Sequence, residues 1–198
     1  MRRAAFILTL GLLLLGCGSK EPVLPEEESL KGIPTNAPAW VANPSGPDKL
    51  AAVGGSPQVT GGLRFQQIEA TGRAKEALRE RIEQLGTQAA LVVLQRLSQA
   101  GLPLDTVEKD ARTLGLMLGA KAATEFTREA IWWSPAREHY VLLAIARPRL
   151  RTLATETFSL YIRSKAPYRD RLKRLNDPDF IRMAVEQTFD LEGTGVAQ

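Results

Sequence analysis

The chain has 198 residues, 26 Lys and Arg against 22 Asp and Glu, one cysteine and one histidine. A single thiol excludes an internal disulfide, and one cysteine beside one histidine excludes a metal centre built from Cys and His clusters. The length suits one domain with a sizeable core plus a tether, not two full domains.

Met1-Arg2-Arg3 opens the chain, and an uncharged apolar run follows from Ala4 to Leu15, interrupted only by Thr9 and Gly11. A basic start before a short apolar run is the layout of an export signal. The 13 residues from Ala4 to Gly16 fall short of the roughly 20 that a membrane-crossing helix needs. Leu14-Leu15-Gly16-Cys17 resembles the lipobox of bacterial lipoproteins. The resemblance implies cleavage after Gly16 and a diacylglyceryl group on Cys17, which becomes the first mature residue. Each buried methylene contributes about 0.8 kcal/mol, and two or more acyl chains give stable anchoring. The expected partner is therefore a membrane, reached through covalent lipid on Cys17. Gly18 stands where many inner-membrane lipoproteins carry aspartate, which by the same resemblance favours the periplasmic face of the outer membrane. Loss of Arg2 and Arg3 with residues 1–16 lowers the net charge from +4 to +2. Export also argues against nucleic acid as a partner.

Residues 17–49 read as a lipidated N-terminus and Pro-rich tether, with Pro22, Pro25, Pro34, Pro38, Pro44, Pro47 and the run Glu26-Glu27-Glu28. Within it, Trp40 and Val41 are expected to dock on the folded domain. The segment KLAAVGGSPQ predicts a strand that Gly54, Gly55 and Pro57 end in a turn. Its glycines match neither a P-loop nor a dinucleotide-binding spacing.

From Leu63 to Ala100, Ala74, Leu78, Ile82, Leu85, Ala89, Val92 or Val93, and Leu97 recur at helical intervals. The alanines Ala70, Ala74 and Ala77 predict close approach to a backbone, and Gly86 a bend. After a break at Gly101-Leu102-Pro103, a second helix is expected with Asp105 as N-cap and Glu108 completing a capping box. Val107, Ala111, Leu114 and Leu118 form its apolar face. Thr127 to Ser134 and Glu138 to Arg147, joined by Ser134-Pro135-Ala136-Arg137, predict an antiparallel hairpin. Its second strand is apolar on both faces and should be central. Leu150, Leu153, Ala154, Phe158 and Tyr161 predict another helix after Pro148. A final helix is expected over Asp177 to Thr188 with Phe180, Met183 and Ala184 inward, before a frayed tail.

The order of Pro38-x-Trp40-Val41, a strand ending Val53-Gly54, a helix with Ala70 and Ala74, and a return strand Tyr140-Val141-Leu142 resembles the Lpp-twenty family of small bacterial membrane-associated lipoproteins. The resemblance spans about Pro38 to Leu153. It implies binding and assembly more than catalysis, by self-assembly or with an envelope protein partner, and some relatives assemble around flagellar motors. The expected fold class is α+β: a small antiparallel sheet of one strand and a hairpin, packed against a long amphipathic helix, with additional C-terminal helices. Residues 50–165 form the expected α+β domain and 166–198 a helical extension and tail.

Cys17 is the only residue assigned a defined chemistry; no catalytic, cofactor-binding or metal-binding residue is expected. His139 beside Glu138 lacks a nucleophile to work with and reads as a strand-edge or partly packed histidine. Trp132 and Trp133 must point to opposite faces of a strand, one of them into the core. Residues 147–174 hold nine basic side chains against Glu156 and Asp170, a positive segment that suits an anionic surface or serves as a solvated helix face. An alternative is an envelope enzyme or ligand-binding module acting on peptidoglycan or lipid, for which the acidic residues are Glu125, Glu129 and Glu138.

Overall fold

The computed structural model describes residues 32–34, 36–98, 102–175, 177 and 179–193, with side chains as far as residue 189. The leader, Cys17, the first part of the tether, the break at Gly101 and the tail beyond residue 193 lie outside the described residues.

Three strands form an antiparallel sheet in the order β1-β3-β2: β1 (Lys49–Ser56), β2 (Thr127–Trp133) and β3 (His139–Ala146). β3 is the apolar strand read as central, and all of its residues except Ala146 are buried. Its alternating side chains serve two faces. Val141, Leu143 and Ile145 join Leu50 and Ala52 against the helices. Leu142 and Ala144 join Ala51 on the opposite face, where Trp40 packs. Trp40 lies in a four-residue helix, α1 (Ala39–Ala42), whose Val41 is buried. The docking expected of these two residues is what the fold uses to cover the second face.

The long helix, α2 (Leu63–Ser98), runs unbroken across the sheet. Ala70, Ala74, Leu78, Ile82, Leu85, Ala89, Val93 and Leu97 are buried along one side, so Val93 rather than Val92 continues the stripe. Ala77 is exposed and takes no part in close packing. The glycines of β1 do not end the strand, which continues through both to Ser56. Gly54 faces α2, and a Cβ there would lie 2.0 Å from the Ala70 carbonyl oxygen and 2.3 Å from the Ala74 nitrogen. Small residues on both elements thus bring the helix backbone against the strand. Gly86 serves a second close approach: a Cβ there would sit 3.2 Å from the Gly115 Cα of the next helix.

That helix, α3 (Leu104–Ala122), buries Val107, Ala111, Leu114 and Leu118 as its periodicity requires. It starts at Leu104 with Pro103 in the cap position and no side-chain cap, so Asp105 lies in the first turn and the expected capping box is absent. Proline fixes the entry geometry, and the acidic Asp105 favours the positive end of the helix dipole.

The hairpin turn is closed by Ser134, which accepts the Glu138 N–H on its Oγ at 3.1 Å and donates its own N–H to the Glu138 carbonyl at 2.9 Å. Arg137 takes φ 62° there. β2 shifts register between Arg128 and Ala130, a bulge on an edge strand.

The chain ends in α4 (Arg147–Ser164), α5 (Ala166–Leu175) and α6 (Phe180–Gly193). α4 buries Leu150, Leu153, Ala154 and Phe158 as expected, and Ile162 besides. In α6 the inward residues are Ile181, Ala184, Val185 and Phe189; Met183, expected inward, is 48% exposed. The stripe that faces the core runs through Ile181, Val185 and Phe189 at four-residue intervals, which leaves Met183 outside it. Tyr168, Ile181, Val185 and Phe189 belong to the same apolar cluster as α2 and the sheet, so one core spans residues 50–189. The architecture is the α+β class expected: a three-stranded antiparallel sheet against a long helix, with further C-terminal helices.

Candidate functional site

Cys17, the residue given a chemistry from sequence, lies outside the described residues. The remaining candidates fall at three places in the fold.

At the hairpin end of the sheet, His139 pairs with Ser56 of β1 on one side and with Trp133 of β2 on the other. It is 1% exposed, far more buried than a strand-edge residue. Its ring lies 4.2 Å from that of Trp133, centroid to centroid. Neither ring nitrogen has a hydrogen-bond partner among the described residues. Burial, opposed by the Gln66 backbone and helped by the Arg128 charge, holds the imidazole below its ordinary pKa. Gln66 on the first turns of α2 closes this end, donating from Nε2 to the Pro57 carbonyl at 2.8 Å and to the Arg137 carbonyl at 2.9 Å. His139 is thus a packing residue under a polar lid, its environment favouring the neutral ring. On the opposite face Trp132 lies 5.4 Å from Tyr140, and both tryptophans are half-buried. The Tyr140 hydroxyl donates to Glu138 at 3.1 Å, and burial together with that carboxylate pushes it up to about 12.

The three carboxylates considered for chemistry do not converge. Glu125 takes a two-pronged contact from Arg149 at 2.7 Å for each bond, which lowers its pKa. Glu129, in the β2 bulge, pairs with Lys49 across β3. Glu138 faces Tyr140 at the far end of the hairpin. No group of three or more His, Cys, Asp or Glu suited to a metal ion occurs among the described residues.

The basic segment divides in two. Its first part is used in the fold: Arg147 is buried, donating from Nε to the Gly46 carbonyl at 3.2 Å and from a terminal nitrogen to the Phe189 carbonyl at 3.5 Å. Arg149 holds Glu125. Its second part, from Arg163 to Arg174, sits on the α4–α5 corner and is mostly exposed. Between α4, α5 and α6 runs a groove of about 670 Å³, with Arg163, Arg169 and Lys173 around it, Asp177 at one end, and Leu172 and Ile181 as apolar wall. It meets, at Ser159, a second groove of about 860 Å³ between α4 and α6, lined by Pro148, Leu160 and the ion pair of Arg182 with Glu186. Sequence reasoning found the charge but not the groove. Arg169 and Lys173 stand one turn apart on α5, but Arg163 lies on α4, so no single helical period signalled the groove.

Asp110 of α3 was missed altogether. It accepts the Tyr161 hydroxyl at 2.6 Å and the Tyr168 hydroxyl at 2.8 Å; burial, with this carboxylate adding to it, raises the pKa of both tyrosines. This joins α3 to α4 and α5.

Among the described residues no helix is long and apolar enough to cross a membrane. No family model, curated protein or solved structure matches the chain.

Proposed function

We propose that the chain is a lipid-anchored protein of the bacterial cell envelope, related to the Lpp-twenty lipoproteins, that acts through contact with a second copy or an envelope protein. The observation that carries this reading is the order of the leader: Arg2-Arg3, an apolar run, then Gly16-Cys17 ahead of a Pro-rich stretch. The distance available to the tether fits it. The 22 residues from Cys17 to Pro38, at roughly 3.3 Å each, allow at most about 70 Å between a lipid anchor and α1. A domain held that close to a surface meets partners on it at raised effective concentration.

Contact is supported by the first turns of α2, where Phe65 and Ile68 are each 61% exposed. Three residues apart, they stand together on one side of the helix. Large apolar side chains grouped in solvent favour a partner surface.

Mass spectrometry of the mature N-terminus and fatty-acid labelling test the anchor. Cys17→Ser is expected to take up no label and to remain uncut; normal maturation of that variant overturns the anchor. For contact, in-cell crosslinking of the native sequence should yield a discrete larger species. The Phe65→Ser/Ile68→Ser pair should lose it with circular dichroism unchanged. A native protein that crosslinks to nothing overturns the assembly reading.

A further inference from the structure

We infer that the groove between α4, α5 and α6 docks on the anionic phospholipid surface to which the chain is tethered, receiving lipid phosphate between its basic side chains. The inference rests on the anchored reading above and gives the domain a second, reversible hold on the membrane.

The first ground is unbalanced charge. Many cations of the fold are matched: Arg73 with Glu69, Arg79 with Glu76 and Glu83, Lys121 with Glu156, Arg149 with Glu125, Arg182 with Asp179 and Glu186; cations that make no ion pair among the described residues outside this segment, such as Arg64, Lys75, Arg96 and Lys109, lie far apart in sequence along α2 and α3. Between Arg163 and Arg174 six basic residues face one acidic residue, Asp170, which pairs with Arg169. Arg163, Lys173 and Arg174 are exposed and make no ion pair among the described residues. Lys165 lies over the Tyr161 ring at 5.3 Å, which leaves its ammonium open to an anion.

The second ground is exposed apolar surface on the same three helices. Leu160, 69% exposed, lines the wider groove one turn before Arg163. Leu175 at the end of α5 and Met183 beside Arg182 on α6 are 37% and 48% exposed. Cations interleaved with exposed aliphatic side chains match the boundary of a bilayer, where phosphates lie just above acyl chains. A soluble anion has no use for the leucines. The apolar wall of Leu172 and Ile181 beside the cations repeats that arrangement inside the groove.

The test uses the mature lipidated protein carrying Leu160→Cys. With Cys17 blocked by its own lipid, the new thiol takes one environment-sensitive fluorophore. Labelled protein is reconstituted into phosphatidylcholine vesicles with rising fractions of phosphatidylglycerol. The expected result is a blue shift, with quenching by brominated acyl chains, as phosphatidylglycerol increases. Changing Arg163, Lys165, Lys173 and Arg174 to Gln is expected to lower the docked fraction relative to the free by roughly 100-fold or more, since each basic residue near an anionic leaflet contributes about fivefold. The same number of charges removed at Arg64, Lys75, Arg96 and Lys109, which are exposed elsewhere, should leave the shift in place. An emission that ignores phosphatidylglycerol, or an equal loss in both quadruple variants, overturns the inference. Failure of the anchor itself registers separately, as protein that does not float with vesicles and takes two labels.

Discussion

His139 shows how a residue that looks reactive in sequence becomes structural by burial. It is the only histidine in the chain, it is 1% exposed, and its ring nitrogens have no partner among the described residues. Burial of the imidazole favours the neutral form, and the lowered pKa has a definite sign in stability. The unfolded chain takes up the proton near pH 6.5 while the folded chain resists it. The contribution is therefore fully present above that pH and is lost as pH falls below it towards the folded value. Urea denaturation between pH 7.5 and 5.5 should show stability falling by up to about 1.4 kcal/mol per pH unit. His139→Phe should flatten that dependence; an unchanged slope would mean that other groups control it. Gly54 makes the complementary point for a residue without a side chain. A methyl 2.0 Å from the Ala70 carbonyl must push α2 off the sheet. Gly54→Ala is expected to cost about 3 kcal/mol, read as a fall in the urea midpoint, whereas the same change at Gly72, which has open space around it, should cost nothing comparable.

At the scale of elements, helical faces were legible because burial imposes a 3.6-residue period that survives in the residues themselves. Val107, Ala111, Leu114 and Leu118 lie inward as their spacing requires. The central strand was legible for a related reason, since apolar residues on both faces require cover on both. What escaped sequence was set by approach between elements. Gly54 and Gly55 resemble a turn to anyone who cannot see α2 against them, and Met183 looks inward until packing selects the stripe of Ile181, Val185 and Phe189 as the buried one. The α4–α6 groove depends on how three helices splay, which no single helix encodes. Nor does any local pattern pair Asp110 with Tyr161 and Tyr168, 51 and 58 residues away. That contact ties α3 to α4 and α5. Hydrogen bonds to a carboxylate contribute about 1.5–3 kcal/mol each. Tyr168→Phe should therefore lower stability by roughly 2 kcal/mol. A double-mutant cycle with Asp110→Ala should return a coupling energy of the same order, and additive losses would show that the two side chains do not act on one another.

For the molecule as a whole, the question is whether the C-terminal helices merely decorate a sheet-and-helix domain. Tyr168, Ile181, Val185 and Phe189 are each at most 5% exposed and share one cluster with Leu85, Leu94 and Phe158. Burying a large apolar side chain contributes about 1.5–3 kcal/mol, so these four together supply roughly 6–12 kcal/mol. Net stability of a domain this size is about 5–15 kcal/mol. Removing them also leaves the matching apolar surface of α2 and α4 facing water, and deprives Arg147 of the Phe189 carbonyl, one end of its link to the Gly46 loop before β1. The chain ended after residue 165 is therefore expected to lose cooperative unfolding, with a broad urea transition and bound hydrophobic dye in place of a native fold. A sharp transition in that truncated chain, with the full helix signal of α2 and α3, would instead mean that the sheet and the two long helices hold themselves. The surface that these last helices present, basic at the α4–α5 corner and apolar at Leu160 and Met183, would then be an attachment that could be lost without loss of the fold. On the structure it is part of the core's own wall, so removing the groove and unfolding the domain should prove to be one event.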